Sequence, residues 1–300
     1  MKWQGRRKSS NIEDRRGQSA GGFGGGGGGI SPMLLIPLFR LLFSKVGLII
    51  VAVLAALMFL TGTNPLDLLQ QFVGGEPQYA QSTSYQPSPE EQALADQTAV
   101  VLAETEDVWN QMIDGYREPT LVLFSGQVNS ACGLASAATG PFYCPGDEKL
   151  YIDLSFFGEM ERKLGAAGDF AQAYVVAHEV GHHVQKLTGI TEQVDAMRGQ
   201  LSEAEFNKLS VRLELQADFY AGVWANHTQQ ATHFLEPGDL EEALNAASAI
   251  GDDRLQKQAT GRVMPDSFTH GTSAQRVRWF RKGYETGDVS QGDTFNATEL

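Results

Sequence analysis

The segment His178-Glu179-Val180-Gly181-His182 carries the residue types and spacing of a hydrolytic metal site. A helix turns about 100° per residue, so positions four apart share one face. His178 and His182 can then hold one ion between their imidazoles, with the carboxylate of Glu179 beside it. This is the H-E-x-x-H arrangement, two zinc ligands and a general base for hydrolysis by water. The residues before it, Phe170 to Ala177, are mostly apolar, and Val184 and Leu187 follow. They predict a buried helix over 170–187, stopped at Thr188-Gly189, that keeps both rings in fixed orientation. His183 is adjacent to His182 and points about 100° away, so it reads as a packing or supporting residue rather than a ligand.

A catalytic zinc takes three protein ligands and leaves a fourth position for water. One class of such enzymes has its third His ten positions after the first; here Thr188 stands there. Another common arrangement brings a Glu from a second helix. Ser202 and Glu205 form a capping box that opens a helix over 203–226. That helix contains Glu214-Leu-Gln-Ala-Asp218, whose two carboxylates share a face. Their repulsion, a few tenths of a kcal/mol, would be reversed by a nearby cation. Glu214 is the assigned third ligand. Asp218 is assigned to accept the free ring N–H of one ligand histidine and so fix its tautomer. Ala217, Ala221, Gly222 and Ala225 would let another helix come close. Glu203 and Glu205 lie in the first turn, where the helix dipole favours acids without any metal. His227 and His233 are weaker candidates.

Three stretches carry a family resemblance: H-E-V-G-H-H from His178, R-L-E-L-Q-A-D-F-Y-A-G-V-W-A from Arg212, and T-H-G-T-S-A-Q-R-V-R-W-F from Thr269. Together they resemble the bacterial family called putative neutral zinc metallopeptidases, and the likeness extends to the basic amino terminus and Gly-Pro-Phe-Tyr-Cys. The resemblance implies a gluzincin-type domain related to membrane-associated peptidases with an H-E-x-x-H and a downstream E-x-x-x-D, and it speaks for a metal site more strongly than for a substrate. It also implies that His270 stabilises a developing oxyanion. Arg276, in the first turns of a helix capped by Thr272 and Gln275, would tie that helix to the one bearing Glu214 and Asp218 or orient the site. In gluzincins a strand upstream of the metal helix borders the cleft and pairs with substrate backbone. Lys149 to Asp153 is the segment for that role, or else an ordinary sheet strand.

The elements that must position these residues are legible in outline. Ser88-Pro89-Glu90-Glu91 is a helix start, and the first helix is expected to run to about Ile113. Strands are expected at 121–124, 142–144 and 149–154, and helices at 155–164, 170–187, 203–226, 240–250 and 273–283. The reading is α+β, a mainly helical zincin-like domain with a small sheet, preceded by one transmembrane helix. Its parts are a basic Gly-rich cytoplasmic tail (1–32), an anchor (33–61), a linker (62–88), the metallopeptidase domain (89–290) and a short carboxy-terminal tail (291–300).

The net charge is −13, but residues 1 to 60 hold eight Lys or Arg against two acids, which leaves −19 for the remainder. That acidic bulk excludes nucleic acid as a partner. Val46 to Leu60 is free of charge, and Leu41 to Leu60 is broken only by Ser44 and Lys45. With Arg40 and Lys45 snorkelling, this is enough to span a bilayer. Lys2, Arg6, Arg7, Lys8, Arg15 and Arg16 precede it. Positive-inside reasoning keeps that end in the cytoplasm and sends the domain to the periplasm or outside. Cys132 and Cys144 then lie where oxidation is permitted, and are expected to form a disulfide. The resulting expectation is a membrane-anchored zinc peptidase. A non-catalytic envelope protein with a structural or vestigial metal and a zinc hydrolase of a non-peptide amide remain as alternatives, since water activation is the same for either bond.

Overall fold

In the computed structural model, residues 1–18 and 85–300 are described. The expected anchor at 33–61 and nearly all of the expected linker lie outside them. Among the described residues no helix is long and apolar enough to cross a membrane.

The helix starts follow the caps read from sequence. Helix α1 (Pro89–Met112) begins where the Ser88 side chain accepts from the Glu91 amide. Before the next helix come five strands: β2 (Thr120–Phe124), β3 (Gln127–Ser130), β4 (Gly133–Ser136), β5 (Phe142–Cys144) and β6 (Lys149–Asp153). They are preceded near the amino terminus by β1 (Ile12–Asp14). Helices α2 (Ser155–Leu164), α3 (Asp169–Leu187) and α4 (Ile190–Ala196) follow. Then come α5 (Glu203–Thr232), α6 (Asp239–Ala249), α7 (Asp252–Thr260) and α8 (Ser273–Thr286). The capping boxes Ser202/Glu205 and Thr272/Gln275 both form. Helix α5 runs six residues past its expected end at 226, through a polar stretch that gives no apolar period to follow. Strand β1, the β3–β4 hairpin, α4 and α7 were not anticipated.

Four strands form one sheet in the order β1-β2-β6-β5. Strands β1, β2 and β6 are parallel, while β5 runs antiparallel to β6. Strand β6 is therefore central. Its backbone is engaged on both sides, so it cannot be the strand that takes substrate. Among the described residues the edge beside it is β5. The β3–β4 hairpin is separate, and the Cys132–Cys144 disulfide ties its turn to β5.

Fourteen of the nineteen residues of α3 are buried, which makes it the central helix. Phe170 stacks on Trp224 of α5, and Trp109 of α1 meets Tyr220 edge-on at 5.6 Å. Side chains of this size stabilise by about 1.5–3 kcal/mol each when fully buried. Helices α3 and α5 touch backbone to backbone at Gly181, where a Cβ would lie 2.9 Å from the Ala217 carbonyl oxygen. Glycines also pair α5 with α8: a Cβ at Gly222 or Gly283 would come within 2.1 Å of the facing helix backbone. The small-residue face read on α5 is thus used by two neighbours.

Residues 1–18 belong to the same compact unit as residues 87–300. These eighteen residues of the expected basic Gly-rich tail (1–32) are therefore part of the folded unit. Strand β1 pairs with β2, Ile12 opposite Leu121, and the Met1 side chain is buried in the core. Such a pairing across more than a hundred residues leaves no local sequence signal.

Candidate metal centre

Helix α3 supplies His178, Glu179 and His182, and α5 supplies Glu214 and Asp218. Because Gly181 lets the two helices meet, His178 Nε2 lies 3.2 Å from one Glu214 carboxylate oxygen and His182 Nε2 lies 3.4 Å from the other. Ligands about 2.05 Å from a tetrahedral zinc stand about 3.3 Å apart. Both contacts are close to that separation, and one donor atom from each of the three residues lies within 4.8 Å of the others, so the donor set fits zinc. Burial would raise the Glu214 pKa, but the His182 charge and the hydrogen bonds from both imidazoles hold it well below the usual carboxylate range.

Each imidazole is oriented from behind. His178 Nδ1 lies 2.9 Å from Asp218 Oδ1, and an ionised carboxylate can only accept, so this nitrogen carries a proton and Nε2 is the nitrogen turned toward Glu214, the one a metal would take in place of its proton. Burial opposes a charge on His178, yet Asp218 and Glu214 outweigh it and raise its pKa to about 10. The site thus draws positive charge to this spot. Asp218 is fully buried and held by Arg276, Nε to Oδ2 at 2.8 Å and Nη2 to Oδ1 at 2.9 Å. That two-pronged pair ties α8 to α5, one of the two roles the family resemblance offered for Arg276. The Tyr174 hydroxyl also donates to Asp218 and accepts from Arg276.

His182 is oriented by a chain of amides. Its Nδ1 lies 2.9 Å from Gln185 Oε1, while Gln185 Nε2 donates to the Leu213 carbonyl at 2.7 Å and to Gln216 Oε1. Gln216 in turn donates to the Gly292 carbonyl. A backbone carbonyl cannot donate, so Leu213 fixes which end of Gln185 faces His182, and His182 must carry its proton on Nδ1. Replacing Gln185 with Leu removes that acceptor. Chelator competition should then report zinc bound about 10–100-fold more weakly than in the wild type. Equal affinity would show that the amide does not set the ring.

Glu179 is 8% exposed and lines the same cleft, and its side chain has no hydrogen-bond partner among the described residues. The cleft is about 530 Å³. Phe142, Phe156, Val175, Ile250 and Leu255 give it apolar walls, and His270 lies at its rim. The His270 ring is half-exposed, with Nδ1 3.2 Å from Asp252. The hydrogen bond to Asp252 raises its pKa despite burial. Asp252 also accepts the backbone amides of Thr269, His270 and Gly271, which fixes the loop. His183 is fully buried behind the site. It meets the Tyr143 hydroxyl and the Arg117 carbonyl, tying α3 to β5 as a packing residue.

Tyr174, Gln185, Gln216 and Asp252 escaped the sequence reading. Tyr174 lies four before His178 and Gln185 three after His182, so both share the ligand face; that spacing was the available signal. Asp252 had none, because its helix has no strong pattern. A second acidic group, Asp169, Asp239 and Glu242, also converges. The Met1 ammonium lies 2.8 Å from Asp169 and 3.2 Å from Asp239, so that cluster already has its cation.

The structure thus sets an H-E-x-x-H helix against an E-x-x-x-D helix inside a mainly helical α+β unit. The chain belongs to the family described as "Putative neutral zinc metallopeptidase", whose model matches residues 1–295. It is 50% identical over 299 residues to "Uncharacterized protein YpfJ" of Escherichia coli (strain K12), covering 98% of this chain and 99% of that one. It is 48% identical over 203 residues to "Uncharacterized protein Rv2575" of Mycobacterium tuberculosis (strain ATCC 25618 / H37Rv), covering 64% of this chain and 68% of that protein. No solved structure matches.

Proposed function

We propose that the protein is a membrane-attached zinc peptidase with a zincin-like catalytic domain. The observation that carries this is the convergence of one donor atom each from His178, His182 and Glu214 within 4.8 Å of one another, with the Glu179 carboxylate, which has no hydrogen-bond partner among the described residues, lining the same cleft. His178, His182 and Glu214 would hold the metal. Zinc, when bound, supplies a Lewis acid that brings the pKa of water to about 7 and polarises a carbonyl. Glu179 takes the proton of the attacking water and returns it to the leaving amine. His270, held by Asp252, offers a hydrogen bond to the oxyanion from the cleft rim. Tyr174, Asp218 and Arg276 keep His178 in its donor orientation.

Among the described residues strand β5 has β6 on one side only, and Phe142 and Tyr143 line the cleft. An extended peptide can add to that edge, which takes the role considered for β6. The Cys132–Cys144 disulfide supports work in an oxidising compartment, and the apolar run ending at Leu60 supports attachment to a membrane.

The test is hydrolysis of unfolded casein by the purified full chain in detergent. Cleavage should vanish with a chelator and return with added zinc. A zinc-loaded, folded protein that cleaves neither casein nor a random peptide library would leave the metal with a structural role only.

A further inference from the structure

The amino-terminal basic cluster is the usual signal that holds a chain's start in the cytoplasm. In this protein most of those charges are already engaged by the catalytic unit. Arg6 pairs with Glu104 at 2.9 Å, Arg7 with Glu106 and Asp107, and Lys8 with Asp96 at 2.7 Å. All four acids lie on α1. Arg16 is buried and pairs with Asp14 and Glu91. Glu106 is 1% exposed, and its partners beyond α1 are Arg7, Ser9 and Asn11, all from the first eleven residues. A buried carboxylate stripped of its partners is strongly unfavourable. The backbone agrees. Lys2 donates to the Phe234 carbonyl, Ser9 to Ala99 and Arg15 to Leu123, and the Leu121 amide donates to Asn11. Residues 1–18 complete both the sheet and the charge balance of α1.

The sequence places the apolar run Leu41–Leu60 between this segment and Pro87. A single crossing there would put residues 1–18 and the catalytic unit on opposite faces of the bilayer. They could not then form β1–β2 pairing or the ion pairs of α1. We propose that residues 1–18 and 87–300 lie on the same face of the membrane, so that the chain between them makes no net crossing. The single-pass arrangement with a cytoplasmic amino terminus and an exported domain is incompatible with that packing. This goes beyond the peptidase reading and does not depend on it.

The experiment labels single cysteines in the full-length protein with a membrane-impermeant maleimide. Ser10→Cys and Lys257→Cys are both exposed, and Gln4→Cys serves as a second probe should Ser10→Cys disturb the fold. Cys132 and Cys144 stay paired as a disulfide. Spheroplasts and inverted vesicles present opposite faces, and detergent sets the full labelling level. The amino-terminal and domain probes should label in the same preparation, each to near its detergent level, and both be protected in the other. An amino-terminal probe that labels in the preparation where Lys257→Cys is protected would overturn the proposal.

Discussion

Glu179→Gln should reduce peptide hydrolysis by about 10²–10⁴-fold, the usual contribution of a positioned general base. The amide keeps the shape of the side chain but cannot take a proton from water. Zinc content should stay at the wild-type level, because the ligands are His178, His182 and Glu214 and Glu179 is not among them. Melting temperature should also be nearly unchanged, since the Glu179 carboxylate has no protein hydrogen bond to lose. The combination matters more than the loss alone. Glu214→Ala, by contrast, removes a ligand and should lower zinc content and turnover together. Turnover of the Gln variant within about tenfold of wild type would remove Glu179 from the proton path.

Arg276→Met should destabilise the protein by about 3–5 kcal/mol, the range for breaking one side of a buried ion pair. Arg276 is 2% exposed and Asp218 is fully buried, so water cannot replace the lost partner. Both the Nε and Nη2 bonds disappear, which leaves Asp218 with only His178 and Tyr174. For a unit of this size the melting temperature should fall by roughly 10 °C or more. In the wild type Arg276 and His178 hold the Asp218 pKa down to about 2 against burial, and a shift of less than about 3 °C on removing Arg276 would mean that this pair contributes little to stability. Adding Asp218→Asn to Arg276→Met should recover part of the loss, because an amide carries no buried charge.

The metal centre was legible because its information is local. His178 and His182 are four apart, as are Glu214 and Asp218, and the Ser202 and Thr272 caps place their helices. Arg276 was assigned its partner through family likeness and found it. What was not legible depends on contacts distant in sequence. Strand β6 reads the same whether central or at an edge; only β2 and β5 on either side make it central. Strand β1 is short and polar, and becomes a strand because β2 lies beside it. Gln185 looks like an ordinary polar residue until Leu213 and Gln216 dictate which end of its amide faces His182. The basic amino terminus was read for its charge, and its partners on α1 were invisible.

Gly181 limits how this centre can be copied. Grafting three ligands onto another helix pair would reproduce the list of donors without their separation, since any side chain at the position before His182 wedges the two cylinders apart. Glu214 would then stand too far from both rings to share an ion with them. For this protein the motif is better written as a constraint on two main chains, in which one of its nominally free positions has no freedom at all.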